Sequence, residues 1–303
     1  MKPMHPMHPM HPWMLLAPLG ILLAATIEGV LLQRARGHYD WNAYWASAGD
    51  LALRIGAGLL PLGLAAGVLG HLWNYRFYTM PLNRPWTWVV LFVGQDLCYY
   101  WMHRADHRVR WMWATHSVHH SPSELNLSAA YRLGFTSRLS ISPIFFAPLV
   151  FMGFPPLVVG GALAANLLYQ FWLHAPWIPR LVGLEWLLNT PAHHRVHHAS
   201  NPEYLDANFG GVLIVFDRMF GTFREELEGV TIRYGLVDPI QGYNPLRVGL
   251  HEWWAMAKDV VAARGVRQAL RSLFGPPRPH ASAAMAAANL NPPHSMGLGS
   301  GAP

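Results

Sequence analysis

From Trp13 to Gln33 the chain is apolar over about the length an α-helix needs to cross the hydrocarbon core of a bilayer, with Glu28 near the end of the run. Similar runs follow at Ile55–Trp73, rich in Gly, Leu and Ala, and at Trp86–Met102, where Trp86 and Trp88 suit a headgroup boundary. Leu139–Phe154 and Pro155–Leu173 form a further pair around the turn Gly153-Phe154-Pro155-Pro156. Each of these two is short for a full crossing, so the pair is expected to dip into the membrane or cross it as a hairpin. Lipid offers no partner to a free N–H or C=O, so runs of this kind fold as packed helices. The expectation is an all-α, polytopic membrane helical bundle with about four to five membrane helices. Charged residues make up only 13% of the chain against 52% hydrophobic, where a soluble domain carries about a quarter charged. A cleavable leader is the other reading of the first run. Only Lys2 supplies its positive end and no small-x-small site follows, so a span is favoured.

The sequence divides into a Met-His-Pro tail over 1–12, membrane helices over 13–85, a histidine-rich region over 86–243, an amphipathic stretch over 244–274 and a Pro, Ala and Gly-rich tail over 275–303. Both tails read as disordered. In the stretch from Asn244 to Phe274, Leu246, Leu250, Trp253, Trp254 and Val261 alternate with Arg247, Lys258, Arg264, Arg267 and Arg271. This pattern fits a helix lying in the membrane interface or one packed on the protein itself. The formal charge is +6, but the cations sit at the ends of apolar runs. That distribution suits lipid headgroups and gives no reason to expect nucleic acid. Arg34 and Arg36 follow the first run, and Arg104, Arg108 and Arg110 follow the third, which predicts an outside amino terminus and cytoplasmic histidines. Arg76 and Arg84, on the other side, pull against this. Cys98 is the single cysteine, so neither a disulfide within the chain nor a cysteine-based metal site is available.

Histidine is the anomaly, with 18 in the chain. His103-Arg-Ala-Asp-His107, His116-Ser-Val-His119-His120 and His193-His194-Arg-Val-His197-His198 space them three and four apart, as neighbours on a helix face are spaced. His174 stands alone at the end of the last apolar run. A lone buried His is usually a satisfied core residue. Many buried imidazoles together are costly unless something binds them. One ion accepts at most about six ligands, so the eight of His103, His107, His116, His119, His120, His194, His197 and His198, or nine with His174, point to two metals. There is neither a His-Glu-x-x-His nor a Glu-x-x-His pairing. All-imidazole ligation with redox chemistry suggests two iron ions, with manganese or copper behind. Two rival functions use the same residues: a zinc-dependent membrane hydrolase, and a membrane metal transporter with histidines as a relay.

The order H-x3-H, H-x2-H-H and a late H-x2-H-H resembles the fatty acid hydroxylase/sterol desaturase superfamily over roughly residues 86–250. The flanks extend the likeness: Asp96-Leu-Cys-Tyr-Tyr-Trp-Met-His-Arg, Asn189-Thr-Pro-Ala before the third cluster, then Asn201-Pro-Glu-Tyr-Leu-Asp-Ala-Asn-Phe-Gly-Gly and Phe216-Asp-Arg-Met-Phe-Gly-Thr-Phe. Tyr169-Gln-Phe-Trp-Leu-His174, Glu124-Leu-Asn-Leu-Ser and Tyr234-Gly-Leu-Val-Asp-Pro look most like the alkylglycerol monooxygenase branch. The resemblance implies a di-iron centre, O₂-dependent hydroxylation or desaturation of a lipid C–H bond and, for that branch, ether-lipid cleavage with tetrahydropterin as reductant. No flavin, nicotinamide or fused haem signature is evident, so the electron donor is expected to be separate. Some family members carry a further His where this chain has Gln170, and the family pattern starts the third cluster at His194, leaving His193 aside.

Four more residues are candidates. Asp96 shares a helix face with Tyr100, His103 and His107, which suggests that it orients a ligand; a bond to another helix is the alternative. Glu124, four after His120, suits a ligand, a proton carrier or a helix cap, and the resemblance favours the site. Asp206 and Asn208 are read as partners behind the ligands, Asn208 as a contact for water or peroxide, with a turn role as the alternative. Trp111 and Trp113 are expected to be interface anchors.

Overall fold

The computed structural model describes residues 16–58 and 66–277. The tail at 1–12, residues 59–65 of the second apolar run and nearly all of the tail after 275 lie outside them. Among the described residues the regular elements are helices, joined by loops with two isolated antiparallel bridges, Leu188 with Leu213 and Ala199 with Tyr234. The helices are α1 (Leu16–Arg36), α2 (Trp41–Gly58), α3 (Ala66–Leu72), α4 (Pro85–Arg108), α5 (Arg110–His116), α6 (Ala147–Phe151), α7 (Pro156–Phe171), α8 (Pro191–His197), α9 (Val215–Phe220), α10 (Pro245–Val261) and α11 (Val266–Phe274).

Gly37 ends α1 with φ at +71°, and its N–H reaches Gln33 O at 3.0 Å, the left-handed stop that glycine makes cheap. Buried Glu28 pins this helix to the rest of the protein, accepting from Leu127 N at 2.7 Å and Trp177 Nε1 at 2.8 Å. α2 is a departure from the sequence reading, which starts a span only at Ile55. Asp40 caps the new helix through Ala43 N at 2.9 Å. Its buried Asp50 accepts from Gly134 N and Phe135 N. The polar groups that tie α2 to the protein are the ones that hide it from an apolar scan.

The third run belongs to one long helix, α4, opened by Pro85 and carried through His103 and His107. Leu139–Phe154 is no single helix. Helical segments over Ala129–Leu139 and Ser142–Phe151 meet at a bend of 94°, where Pro143 and Pro148 remove donors and Ser140 bonds Ser142. Among the described residues, two helices are long and apolar enough to cross a membrane, Pro18–Arg36 and Pro156–His174, or three if the bent pair is one span. α4 falls short because Gln95, Asp96, Tyr99 and Tyr100, all buried, lower its mean hydropathy. Leu91, Tyr99, Phe146, Leu149, Phe154 and Val159 form the core that binds α4, α6 and α7, held by close van der Waals packing.

Gly153, at φ +103°, lies against the backbone of Tyr78, and its carbonyl accepts from Met80 N at 3.0 Å. A Cβ there would strike the Tyr78 carbonyl. Gly153→Ala is therefore expected to destabilise by at least ~1–3 kcal/mol, read as a lower melting temperature in detergent; an unchanged melt would show that this turn relaxes freely.

The amphipathic stretch is two helices, broken around Gly265. α10 packs Val248, Glu252 and Met256 inward. Arg110 bridges from α5 to Glu252 at 2.8 Å and Asp259 at 2.6 Å.

Candidate metal centre

His103 and His107 leave α4 on one face, and His116 closes α5. The chain then departs from the helix that the spacing predicts. Residues 117–120 form turns. α8 brings His194 and His197, with His198 just past its end, and His174 ends the turn after α7. The nine imidazoles fall into two sets. His103, His107, His116, His120 and His197 form the first; His119, His174, His194 and His198 form the second. Within each set the ligand atoms all lie within 4.8 Å of one another, close enough to surround one ion at the ~2.0–2.1 Å of a metal–imidazole bond. Each His-x-x-His-His run feeds both sets, giving its i and i+4 residues to one and its i+3 residue to the other.

Main-chain carbonyls fix the ring orientations. His103 Nδ1 donates to Phe209 O at 2.9 Å, His119 Nδ1 to Arg132 O at 3.2 Å, His174 Nδ1 to Gln170 O at 2.9 Å and His197 Nδ1 to Ala207 O at 2.9 Å. A carbonyl only accepts, so each Nδ1 carries the proton and each Nε2 presents a bare lone pair. His119 Nε2 and His174 Nε2 face each other at 3.3 Å in that state. Two lone pairs at this distance repel unless a cation lies between them. In the first set the buried Nε2 atoms of His107 and His197 have no hydrogen-bond partner, again as a metal would require. Burial first, then the neighbouring imidazoles, holds His116, His120, His194, His197 and His198 well below the ordinary histidine range. Burial likewise takes His119 down to about 4. These rings are neutral, as ligation needs. The donor set therefore fits two metal ions.

The supporting candidates divide. Asp206, at φ +57°, sets Oδ1 3.6 Å from His107 Nδ1 and Oδ2 3.3 Å from Arg108 Nε. Burial raises its pKa, but the bond to His107 and the nearby arginines outweigh that and hold it below the usual carboxylate range. Asp206→Ala is expected to weaken metal binding about 10–100-fold in a metal-competition titration; unchanged affinity would reduce Asp206 to a surface residue. Asp96 touches no histidine. It accepts from Val212 N at 2.9 Å, Leu213 N at 2.8 Å and Asn166 Nδ2 at 2.7 Å, bracing the segment that presents Phe209 O to His103. Glu124 lies outside both sets and pairs with His38 at 3.2 Å on the surface; the helix that would align it with His120 has already ended. Asn208, at φ +56°, spends its amide on His193 O, Arg224 O and Arg224 N, which is the turn role. His193 is in neither set and meets Phe223 edge-on. Gln170 holds Tyr99 Oη and Asn166 with its side chain and offers its carbonyl to His174. Trp113 is no outer anchor: its ring centre lies 5.2 Å from that of His107.

Sequence reasoning missed Asp217. Its buried carboxylate accepts from Phe209 N, Gly210 N and Thr222 Oγ1, each at 2.7 Å, and so supports the carbonyl behind His103. The Phe216–Phe223 run carried that signal, as an acid inside an aromatic segment.

A cavity of about 300 Å³ opens onto the first set. His107, His120 and His197 line its inner end, Trp113, Leu205, Leu236 and Val237 its apolar walls, and Arg108 with Asp206 its polar side. A second cavity of about 510 Å³ lies between α4 and α7, walled by Trp88, Phe92 and Ala162 among others, and no ligand histidine lines it.

Residues 88–222, from α4 to the residue that bonds Asp217, match the fatty acid hydroxylase family. The chain's relatives include alkylglycerol monooxygenase of Xenopus tropicalis, 41% identical over 250 residues that cover 77% of this chain and 54% of the relative. The alkylglycerol monooxygenase of Homo sapiens is 38% identical over 258 residues, 85% of this chain and 57% of the relative. Ornithine lipid hydroxylase OlsE of Rhizobium tropici is 28% identical over 152 residues, 50% of this chain and 46% of the relative. The chain spans about half the length of the curated relatives it matches. No solved structure matches it.

Proposed function

We propose that this chain is a multi-pass membrane monooxygenase that holds two iron ions and uses O₂ to hydroxylate a lipid C–H bond. The observation that carries the reading is the partition of nine buried imidazoles into two cation-sized sets, one of them open to a cavity with apolar walls. The balance is R–H + O₂ + 2 e⁻ + 2 H⁺ → R–OH + H₂O, with both electrons drawn from a separate donor. The alkylglycerol monooxygenase relatives favour an ether lipid and a tetrahydropterin donor. Hydroxylation at the carbon bonded to the ether oxygen gives a hemiacetal, which splits into an aldehyde and an alcohol.

Iron supplies the O₂ chemistry that no side chain here can perform. The protein supplies the rest. Carbonyls of residues 132, 170, 207 and 209 turn bare Nε2 atoms inward, and Asp206 steadies His107. Trp113, Leu205, Leu236 and Val237 exclude water from the space beside the first set, where a lipid carbon would lie. The histidines gather at one place and are not strung along α1 or α7, which favours catalysis over a transport relay. α1 and α7 supply the membrane spans, and Arg34, Arg36, Arg104 and Arg108, at the ends of α1 and α4, favour the cytoplasmic side for the site.

The test is iron content with Mössbauer spectroscopy on iron-57-grown protein purified anaerobically, followed by O₂-dependent turnover of a 1-O-alkylglycerol with tetrahydropterin. About two irons per chain and aldehyde formed only under O₂ are expected. Tightly bound zinc without iron, even from iron-replete cells, would overturn the redox reading and put a zinc hydrolase in its place.

A further inference from the structure

The face of α10 opposite its packed side is apolar and open. Leu246, Leu250 and Trp254 recur every fourth residue along it, and Val261 continues the row. Trp254 is 66% exposed and Val261 87%, although their helix has a fully used inner face. α11 buries nothing. Val266 and Leu270 form its apolar row, Val266 at 76% exposed, while Arg267 and Arg271 are exposed on the same short helix and Arg264 just before it. Lys258 sits 5.9 Å above the Trp254 ring. An exposed apolar row beside a row of cations, with a tryptophan next to a lysine, has the chemistry of a headgroup boundary.

We propose that these faces of α10 and α11 form a docking surface for an anionic bilayer, with the apolar rows in the upper acyl layer and the arginines on lipid phosphates. Contacts to the protein core hold the surface in place. Phe274 stacks on Trp111, and Arg110 N donates to Gly275 O at 2.9 Å. Pro276 and Pro277, directly after α11, line the cavity that reaches the first histidine set. A docked α11 therefore brings the cavity beside the headgroup layer, where a lipid could enter with its polar end. This last step rests on the proposed lipid oxidation; the docking itself does not.

The test uses the full chain in nanodiscs of phosphatidylcholine with phosphatidylglycerol. A Cys98→Ser background receives Trp254→Cys or Leu270→Cys, labelled with an environment-sensitive fluorophore, and Glu228→Cys serves as an exposed control. The expected result is quenching of both interface labels by shallow nitroxide lipids and protection from iodide, with the opposite pattern at the control. Arg264→Glu/Arg267→Glu/Arg271→Glu should cut the lipid quenching several-fold, more so with phosphatidylglycerol than with phosphatidylcholine alone. Iodide quenching equal to the control would overturn the proposal. Protection from both quenchers would also overturn it, assigning the surface to a second copy if it fades on dilution to one chain per disc, and to residues 278–303 if it persists. Because the readout is not turnover, an inactive preparation that still docks separates this inference from the proposed reaction.

Discussion

Replacing His119 and His120 one at a time is expected to empty opposite halves of the metal centre, although the two are neighbours in sequence. His120 belongs with His103, His107, His116 and His197, and His119 with His174, His194 and His198. Each alanine variant should fall from about two irons per chain to about one, and the Mössbauer signal lost in one should be the signal kept in the other. Turnover should fall at least ~100-fold in both, the upper end of what losing a mere supporting partner does. His→Gln versions, closer in volume, guard against a collapsed cavity being read as lost ligation. Loss of the same signal in both variants would mean that the two sets are one site.

Asp217→Ala is expected to be the most destabilising change away from the histidines. Its carboxylate is fully buried and takes three donors. Each buried donor left unpaired costs about 1–3 kcal/mol, so a loss of at least about 3 kcal/mol is expected in all. The melting temperature in detergent should drop accordingly, and Asp217→Asn, which keeps an acceptor, should lose less. Burial pushes the Asp217 carboxyl up to about 6 despite its hydrogen bonds. A pKa raised on folding gives stability that is full below the unfolded value and is lost as pH rises through the folded one. The wild-type melt should therefore fall between pH 4 and 6, a window set by that shift, and Asp217→Asn should flatten this slope. An identical slope in the variant would place the titration elsewhere.

Eight of the nine histidines that the structure gathers stand at i, i+3 and i+4 spacings in the sequence, while His174 stands alone there. Their division between two sites was not legible. The i and i+4 residues of each run go to one site and the i+3 residue to the other, in the turn at 117–120 and in helical α8 alike, and a shared face does not reveal that split. Asp96 reads as a ligand partner on the face of α4, but its donors come from residues 166, 212 and 213, and contacts that distant in the chain leave no local pattern. Glu124 lies outside both sets because the helix that would align it with His120 ends before it, and the amide of Asn208 is taken by backbone that sequence spacing cannot place. The long apolar runs at α1 and α7 were plain. α2 was not, since Asp50 and Arg54 dilute it, and the run Leu139–Phe154 looked continuous because proline interrupts geometry without interrupting hydropathy.

The imidazoles are braced chiefly by peptide carbonyls, and no carboxylate belongs to either set. The cage is therefore electrically neutral, and Asp206 is the nearest negative charge, already shared with Arg108. Any divalent cation it holds keeps its full charge in a medium that screens poorly. A carboxylate-rich cage would offset that charge and ease the loss of electrons. This one favours the lower oxidation state, raises the reduction potential and makes the open end of the cavity a strong attractor for small anions. Azide, cyanide and fluoride should compete with substrate there more effectively than neutral molecules of the same size.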